Sequence, residues 1–153
     1  MTDDESTTDA ADGFHLGHVH LKVRDLERAL SFYREVFGLD VTERHERYAF
    51  LSWGEHHHDV ALQAVGADAA GPGVGVGLYH AAVEADSLDR LKTVYERLRT
   101  RGVEVSPVDH DISKALYFAD PDDNGLELYV DTREERDERE WRGQNRRFDP
   151  ESL

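Results

Sequence analysis

The sequence predicts an α+β fold in which two tandem βαβββ modules form a curled mixed sheet around a cleft. Three observations predict it. Residues 16–23 alternate between apolar and polar side chains, as a half-buried strand does, and an amphipathic helical pattern follows them. The same order returns from residue 78 onward, and a glycine-rich linker at 67–76 separates the two copies. The length of 153 residues suits two small repeats fused into one domain.

The first module is expected over residues 13–66. After its opening strand at 16–23, Asp25 is a suitable N-cap for a helix whose apolar residues recur at helical spacing, and Gly38 predicts where that helix ends. The strand-like runs that complete this module lie near 39–45, 47–53 and 58–65.

The second module is expected over residues 77–131. It opens with a predicted strand at 78–85, after which Asp86 or Ser87 caps a helix that Gly102 ends. The strands that complete it are predicted near 103–107, 114–119 and 125–130.

The two ends of the chain differ from the modules in composition. Residues 1–12 are acidic and poor in apolar side chains, so we expect this segment to be disordered. Residues 132–153 form a charged tail with helical propensity. Trp141 and Phe148 predict that part of this tail packs back on the body of the protein.

The composition excludes several classes of function. Asp and Glu total 33 against 18 Lys and Arg, and the net charge of −15 argues against a nucleic-acid surface. The absence of cysteine excludes disulfide scaffolds and thiolate metal sites. A mean hydropathy of −0.68 predicts no membrane span. The start of the chain lacks the basic and apolar regions of a signal peptide, which predicts a cytoplasmic protein. An acidic surface with little lysine is typical of halophilic proteins, and an ordinary acidic protein is the alternative.

Three side chains at matching strand positions predict a metal site. His18 in the strand at 16–23, His80 in the strand at 78–85, and Glu127 in the last strand all alternate with apolar neighbours. Period-two geometry therefore puts them on the face turned away from the helices. Two imidazoles and one carboxylate with open positions form the ligand set of a non-haem Fe(II) site. Each residue alone is also typical of an ordinary strand surface, and the shared placement in a repeated unit favours a metal-binding cleft.

Three segments resemble the vicinal oxygen chelate superfamily, which includes glyoxalase I, bleomycin and fosfomycin resistance proteins, methylmalonyl-CoA epimerase and type I extradiol dioxygenases. They occur in that superfamily's order and spacing over residues 14–131. The resemblance implies the paired-module fold and a metal held by His18, His80 and Glu127. The segments are Gly17-His18-Val19 through Phe37-Gly38-Leu39, then Tyr79-His80-Ala81-Ala82-Val83, and finally Ala119-Asp120-Pro121-Asp122 through Tyr129.

The resemblance is greatest to the type I extradiol ring-cleaving dioxygenases. Glyoxalase I and the epimerase draw a further Glu or Gln from the last strand of the first module, where only Gln63 could serve here, with a shift of register. The segment His57-His58-Asp59-Val60-Ala61 resembles the His-His-x-x-Ala segment of extradiol enzymes, whose second His is an acid/base near bound O₂. This implies that role for His58. It also implies Fe(II) as cofactor, with a catecholic small molecule and O₂ as substrates.

Further side chains are expected around the cleft. The resemblance implies that Tyr117 hydrogen-bonds a substrate oxygen, and a cross-strand aromatic pair is the alternative. His20 shares the face of His18, and the loop that carries His110 is expected to rim the cleft. The alternative for the histidines at 56–58 is a surface cluster. Candidate substrate contacts are His20, His57 and His110.

Other functions of the same fold stay open. A glyoxalase-like lyase or a resistance-type transferase would use Mn, Ni or Zn, and a non-enzymatic ligand-binding protein would use the same cleft. We expect a homodimer, with the cleft closed either within one chain or between swapped copies. The spacing from Asp120 to Asp131 matches a calcium-binding EF-hand loop, but flanking strands in place of helices exclude that reading.

Overall fold

The computed structural model describes residues 13–153 and confirms two tandem modules of mixed α and β structure. The disorder predicted for residues 1–12 lies outside the described residues. The strands form two separate mixed sheets, of four and five strands. No helix among residues 13–153 is both long and apolar enough to cross a membrane.

The first module contains one helix and four strands in the predicted order. Asp25 caps the helix by accepting a hydrogen bond from the Arg28 backbone N–H, and Gly38 ends it at a φ of 69°. The strands are hydrogen-bonded in the order β1-β4-β3-β2, with β1 and β4 parallel and the other pairs antiparallel. The elements are β1 (Val19–Val23), α1 (Leu26–Phe37), β2 (Asp40–Arg44), β3 (Tyr48–Ser52) and β4 (Val60–Ala64).

The second module repeats this pattern and gains one short strand from the tail. Ser87 caps its helix, and the helix ends at Thr100, just before Gly102. The sheet order is β5-β8-β7-β6-β9. The elements are β5 (Ala81–Glu84), α2 (Leu88–Thr100), β6 (Ser106–Asp109), β7 (Ser113–Ala119) and β8 (Gly125–Asp131), followed by α3 (Arg133–Arg136), β9 (Arg146–Arg147) and a 3₁₀ helix (Pro150–Ser152).

The opening strands are shorter than predicted. The strand expected at 16–23 begins at Val19, and that expected at 78–85 begins at Ala81. His18 and His80 therefore lie immediately before the strands. The strand expected at 103–107 runs from Ser106 to Asp109, because the Val103 backbone N–H still bonds to the Leu98 carbonyl at the end of α2.

Within residues 13–153, α1 and α2 each pack on one face of a sheet, and neither covers the opposite face. In β8, Leu126, Leu128 and Val130 are buried, while Glu127 and Tyr129 are partly exposed on the opposite face. The predicted alternation is confirmed there. The largest fully buried side chains include Phe32, Tyr33, Leu51, Leu62, Leu91, Leu98 and Leu116.

A group of buried and partly buried polar contacts joins the two modules side by side. The Tyr33 hydroxyl of α1 donates to Asp120 Oδ2 at 2.7 Å, and both residues are buried. Arg24 and Arg28 donate to Asp122 Oδ1 at 3.2 and 2.6 Å. Burial and the Asp120 carboxylate raise the pKa of Tyr33, so the hydroxyl keeps its proton and donates it. We call Arg24, Arg28, Tyr33, Asp120 and Asp122 the latch.

Asp120 and Asp122, the first two carboxylates of the calcium-loop spacing, belong to this latch, whereas Asp131 pairs with Arg133. Asp120 Oδ1 accepts hydrogen bonds from the backbone N–H groups of Asp122 and Asn124 at 2.8 and 3.0 Å, which closes the turn between β7 and β8. In the tail, Phe148 packs against the core as predicted, whereas Trp141 is 56% exposed.

Candidate metal centre

The second module brings two of the predicted ligands into contact. His80 Nε2 lies 2.9 Å from Glu127 Oε2. The parallel register pairs Ala81 with Leu126 and Ala82 with Glu127, so the residue before β5 meets the first outward-facing residue of β8. The His80 side chain is 28% exposed and the Glu127 side chain 12%. The pair is therefore partly withdrawn from water on the face that the helices leave open.

The geometry of this pair fits two neighbouring positions of a metal ion. Donor atoms each about 2.1 Å from one ion, at right angles to one another, stand about 3 Å apart. The His80–Glu127 separation of 2.9 Å matches that spacing. The other ring nitrogen of His80, Nδ1, is buried without a hydrogen-bond partner among the described residues. An imidazole and a carboxylate are a suitable donor set for Fe(II), Mn(II) or Zn(II).

Tyr117 and His110 extend this group along the same face. The Tyr117 ring centroid lies 5.7 Å from that of His80, and the Tyr117 hydroxyl lies 2.7 Å from His110 Nε2. Burial and the nearby Glu127 carboxylate raise the pKa of Tyr117 to about 12, so the phenol is protonated at neutral pH. We call His80, His110, Tyr117 and Glu127 the second-module cluster.

His18 lies on the other sheet, among different histidines. Its ring centroid is 4.3 Å from that of His58, and His58 Nδ1 is 2.9 Å from His57 Nδ1. His57 Nε2 lies 3.3 Å from Glu43 Oε1. Partial burial and the adjacent His18 and His57 lower the pKa of His58, which favours its neutral, proton-accepting form. We call His18, Glu43, His57 and His58 the first-module cluster.

The remaining candidates have less defined surroundings. His20 is exposed on the same sheet face, with its ring 6.1 Å from that of Tyr48. Gln63, the possible fourth ligand, is half-buried and paired in β4 with Lys22 of β1. Neither residue joins the His80–Glu127 pair.

Within one chain, the three predicted ligands therefore lie apart, with His18 at one sheet and His80 and Glu127 at the other. Within residues 13–153, the structure holds no group of three or more His, Asp or Glu side chains placed to bind one ion. His18 lines a cavity of about 630 Å³ between the modules, and neither His80 nor Glu127 lines it. The three-ligand site therefore stays a prediction, with its parts on two sheets.

Two residues near the second-module cluster were not predicted to lie beside the site. Asn145 Oδ1 lies 2.6 Å from His110 Nδ1, and the Trp141 ring lies 6.4 Å from that of His110. Both belong to the tail, which β9 attaches to β6 through Val108 and Asp109. A two-residue strand carries too little pattern to be predicted, and the only signal was the aromatic residue in a charged segment.

The chain belongs to the glyoxalase/bleomycin resistance protein/dioxygenase superfamily, whose family description it matches over residues 15–128. It is 36% identical over 118 residues to a catechol-2,3-dioxygenase of Bacillus subtilis (strain 168), an alignment covering 76% of this chain and 41% of that protein. It is 34% identical over 119 residues to biphenyl-2,3-diol 1,2-dioxygenase 2 of Rhodococcus globerulus, covering 74% and 61% respectively. The chain thus spans about half the length of these two relatives.

Solved structures of the superfamily share the fold. A glyoxalase/bleomycin resistance protein/dioxygenase domain from Frankia sp. EAN1pec superimposes with a TM-score of 0.65 at 23% identity, covering 77% of this chain and 98% of that one. The fosfomycin resistance protein FosX from Mesorhizobium loti superimposes with a TM-score of 0.60 at 26% identity, covering 80% and 96%. These likenesses confirm the paired-module architecture, and the family match over residues 15–128 confirms the predicted superfamily.

Proposed function

We propose that this protein is a metal-dependent dioxygenase that cleaves a catecholic aromatic in the extradiol manner, with Fe(II) and O₂. The observation that carries the proposal is the His80–Glu127 pair at 2.9 Å with Tyr117 beside it. Sequence identity of 34–36% to enzymes named for catechol and biphenyl-diol cleavage supports the same reaction class. The substrate would be a small aromatic diol, and O₂ the second substrate.

We propose further that a second copy completes the metal site in a homodimer. The latch holds the two modules of one chain side by side, and His18 faces His58 instead of the His80–Glu127 pair. Placing the first-module cluster of one copy over the second-module cluster of another would add the missing imidazole. A twofold arrangement would build two such sites, each with two histidines and one glutamate.

Each residue has a task that follows from its surroundings. When bound, Fe(II) would supply a site where a catechol and O₂ meet and exchange electrons. His18, His80 and Glu127 would hold it. His58, whose pKa is lowered, can accept a proton from a substrate hydroxyl, and Tyr117 can hydrogen-bond a substrate oxygen.

The test is anaerobic reconstitution of the purified protein with Fe(II), followed by O₂ uptake against a panel of substituted catechols. The proposal expects O₂ consumption that depends on both the metal and the catechol, with a yellow ring-cleavage product. Stoichiometric iron binding without O₂ uptake on any catechol would contradict the dioxygenase proposal. Parallel loading with Mn(II), Ni(II) and Zn(II) tests whether another ion supports the reaction.

A resistance-type transferase is the second candidate, and one observation favours it. The chain covers 96% of the FosX structure from Mesorhizobium loti, but only 41% of the Bacillus dioxygenase. Thiol-dependent or water-dependent opening of fosfomycin by the Mn(II)-loaded protein, with no O₂ uptake on catechols, would favour this candidate. His58→Ala would then leave turnover unchanged, because a reaction without a catechol proton needs no base at that position.

A further inference from the structure

The C-terminal segment at residues 138–147 lies against the second-module cluster, and we call this segment the strap. Its attachment is well defined. Arg146 and Arg147 pair as β9 with Val108 and Asp109 of β6. The strap follows α3, from which Arg136 donates to both carboxylate oxygens of Asp109 at 2.7 and 2.9 Å. The strap is thus fixed at both ends beside the loop that carries His110.

Asn145 determines which ring nitrogen of His110 carries the hydrogen, and therefore which one can accept a hydrogen bond from Tyr117. The amide oxygen of Asn145 is 2.6 Å from His110 Nδ1, and an amide oxygen can only accept a hydrogen bond. His110 Nδ1 therefore carries the hydrogen, and Nε2 of the neutral ring can accept from the Tyr117 hydroxyl at 2.7 Å, for which the Glu127 carboxylate is the other acceptor within reach. The Tyr117 oxygen then keeps its lone pairs free to accept a hydrogen bond from a substrate hydroxyl.

Trp141 continues a row of rings that begins at a predicted metal ligand. Ring centroids are separated by 5.7 Å from His80 to Tyr117, by 5.9 Å from Tyr117 to His110, and by 6.4 Å from His110 to Trp141. The Trp141 ring is held in place, because its Nε1–H donates to the Gln144 carbonyl at 3.1 Å. It is nevertheless 56% exposed. A fixed and exposed indole at the end of this row is suited to contact a second aromatic group.

We propose that the strap is part of the substrate site, with Asn145 as a positioning residue for His110 and Tyr117, and Trp141 as the outer wall. The proposal rests on the dioxygenase function and specifies its substrate class. The rings of Tyr117 and His110 separate Trp141 from His80, so a substrate whose diol lies near His80 would need an aryl or other bulky apolar group next to the diol to contact Trp141. The diol would lie near His80 and Glu127, and the apolar group would contact Trp141.

The first test compares two substrates in the Fe(II)-loaded, full-length protein. The ratio of kcat/KM for 2,3-dihydroxybiphenyl to that for catechol is expected to fall roughly 3- to 10-fold in Trp141→Ala, the loss typical of an aromatic contact. Trp141→Phe keeps a ring and should preserve most of the ratio. Trp53→Phe, at the other tryptophan of the chain, is the matched control and should leave the ratio unchanged.

The second test separates positioning from a structural effect. Asn145→Leu removes the acceptor and is expected to lower kcat about tenfold with little change in KM. Asn145→Asp keeps an acceptor and should restore most of kcat. Glu104→Leu is the control, because the Glu104 side chain is exposed, lies outside the strap and makes no hydrogen bond within residues 13–153.

Each failure has a distinct result. If the unaltered protein turns over catechols but neither the substrate ratio nor kcat responds to these variants, the strap is not part of the site while the dioxygenase function stands. If Trp141→Ala changes the sedimentation coefficient and leaves the ratio intact, the ring contacts another copy and the proposal is overturned. If no catechol is turned over, both the function and the inference fail.

Discussion

The two modules share one fold but carry unequal parts of the candidate site. In the second-module cluster, His80 and Glu127 are mostly buried and lie 2.9 Å apart. In the first-module cluster, the His57 and Glu43 side chains are 57% and 48% exposed, and His18 has only His58 as a close ring neighbour among the described residues. The second module therefore holds its two candidate metal donors in contact, whereas the candidate residues of the first module lie on a more exposed face.

A single position explains much of this difference. The register pairs Val19 with Val60 in the first module and Ala81 with Leu126 in the second, so Ala61 occupies the place that Glu127 has in the other sheet. Ala61 is buried and has no donor atom. The repeat thus places a histidine just before the opening strand of both sheets, but a carboxylate at the position paired beside it only in the second sheet. In the proposed site, the first module would therefore contribute one histidine, and the second module one histidine and the carboxylate.

Removing the carboxylate should have the largest effect. Glu127→Ala is expected to lower metal affinity on the order of 100-fold or more and to abolish turnover, because His80 loses its paired donor. Metal content after dialysis and O₂ uptake measure both. Glu84→Ala, on the neighbouring β5, should bind metal normally. Equal loss of metal in both variants would contradict the assigned pair.

The proposed base should matter for turnover alone. His58→Ala is expected to lower kcat about 100-fold or more while metal content stays unchanged, since proton transfer is lost but no donor is removed. The control is His56→Ala, at an exposed neighbouring histidine outside the first-module cluster. If His58→Ala loses its metal instead, His58 belongs to the ligand set and the division of roles is wrong.

Breaking the latch should weaken the contact between modules. Asp122→Ala leaves the Arg24 backbone N–H and two guanidinium groups without their acceptor, and we expect unfolding free energy to fall by about 2–3 kcal/mol. Urea unfolding followed by circular dichroism measures this change. Asp68→Ala, in the exposed linker, should leave stability within about 0.5 kcal/mol.

Adding a carboxylate to the first module should make the two halves more alike. Ala61→Glu places an acid at the position equivalent to Glu127, and we expect affinity for Mn(II) to rise about tenfold while dioxygenase turnover falls, because a coordination position becomes filled. Isothermal titration with Mn(II) measures the change, and Ala61→Gln provides a side chain of equal size without charge. Weaker binding by Ala61→Glu in a folded protein would show that the two registers are not equivalent.

The sequence predicted those features that depend on local periodicity. The cap at Asp25, a second cap at Asp86 or Ser87, both helices and the outward position of Glu127 follow from patterns over a few residues, and the structure assigns the second cap to Ser87. The latch, the strap and the separation of His18 from His80 could not be predicted in this way. They depend on contacts between residues far apart in the chain, such as Tyr33 with Asp120 and Asn145 with His110, for which alternation contains no information.

The most direct test of a site shared between copies mixes two inactive variants, His18→Ala and Glu127→Ala, by co-expression with different affinity tags. In a twofold dimer, each mixed pair has one site with both changes and one site with neither. Random pairing should therefore restore about a quarter of the metal binding and O₂ uptake of the unaltered protein. Purified mixed dimers that bind no metal would contradict the account. If each site formed within one chain, every site would carry one of the two changes, and none would be intact.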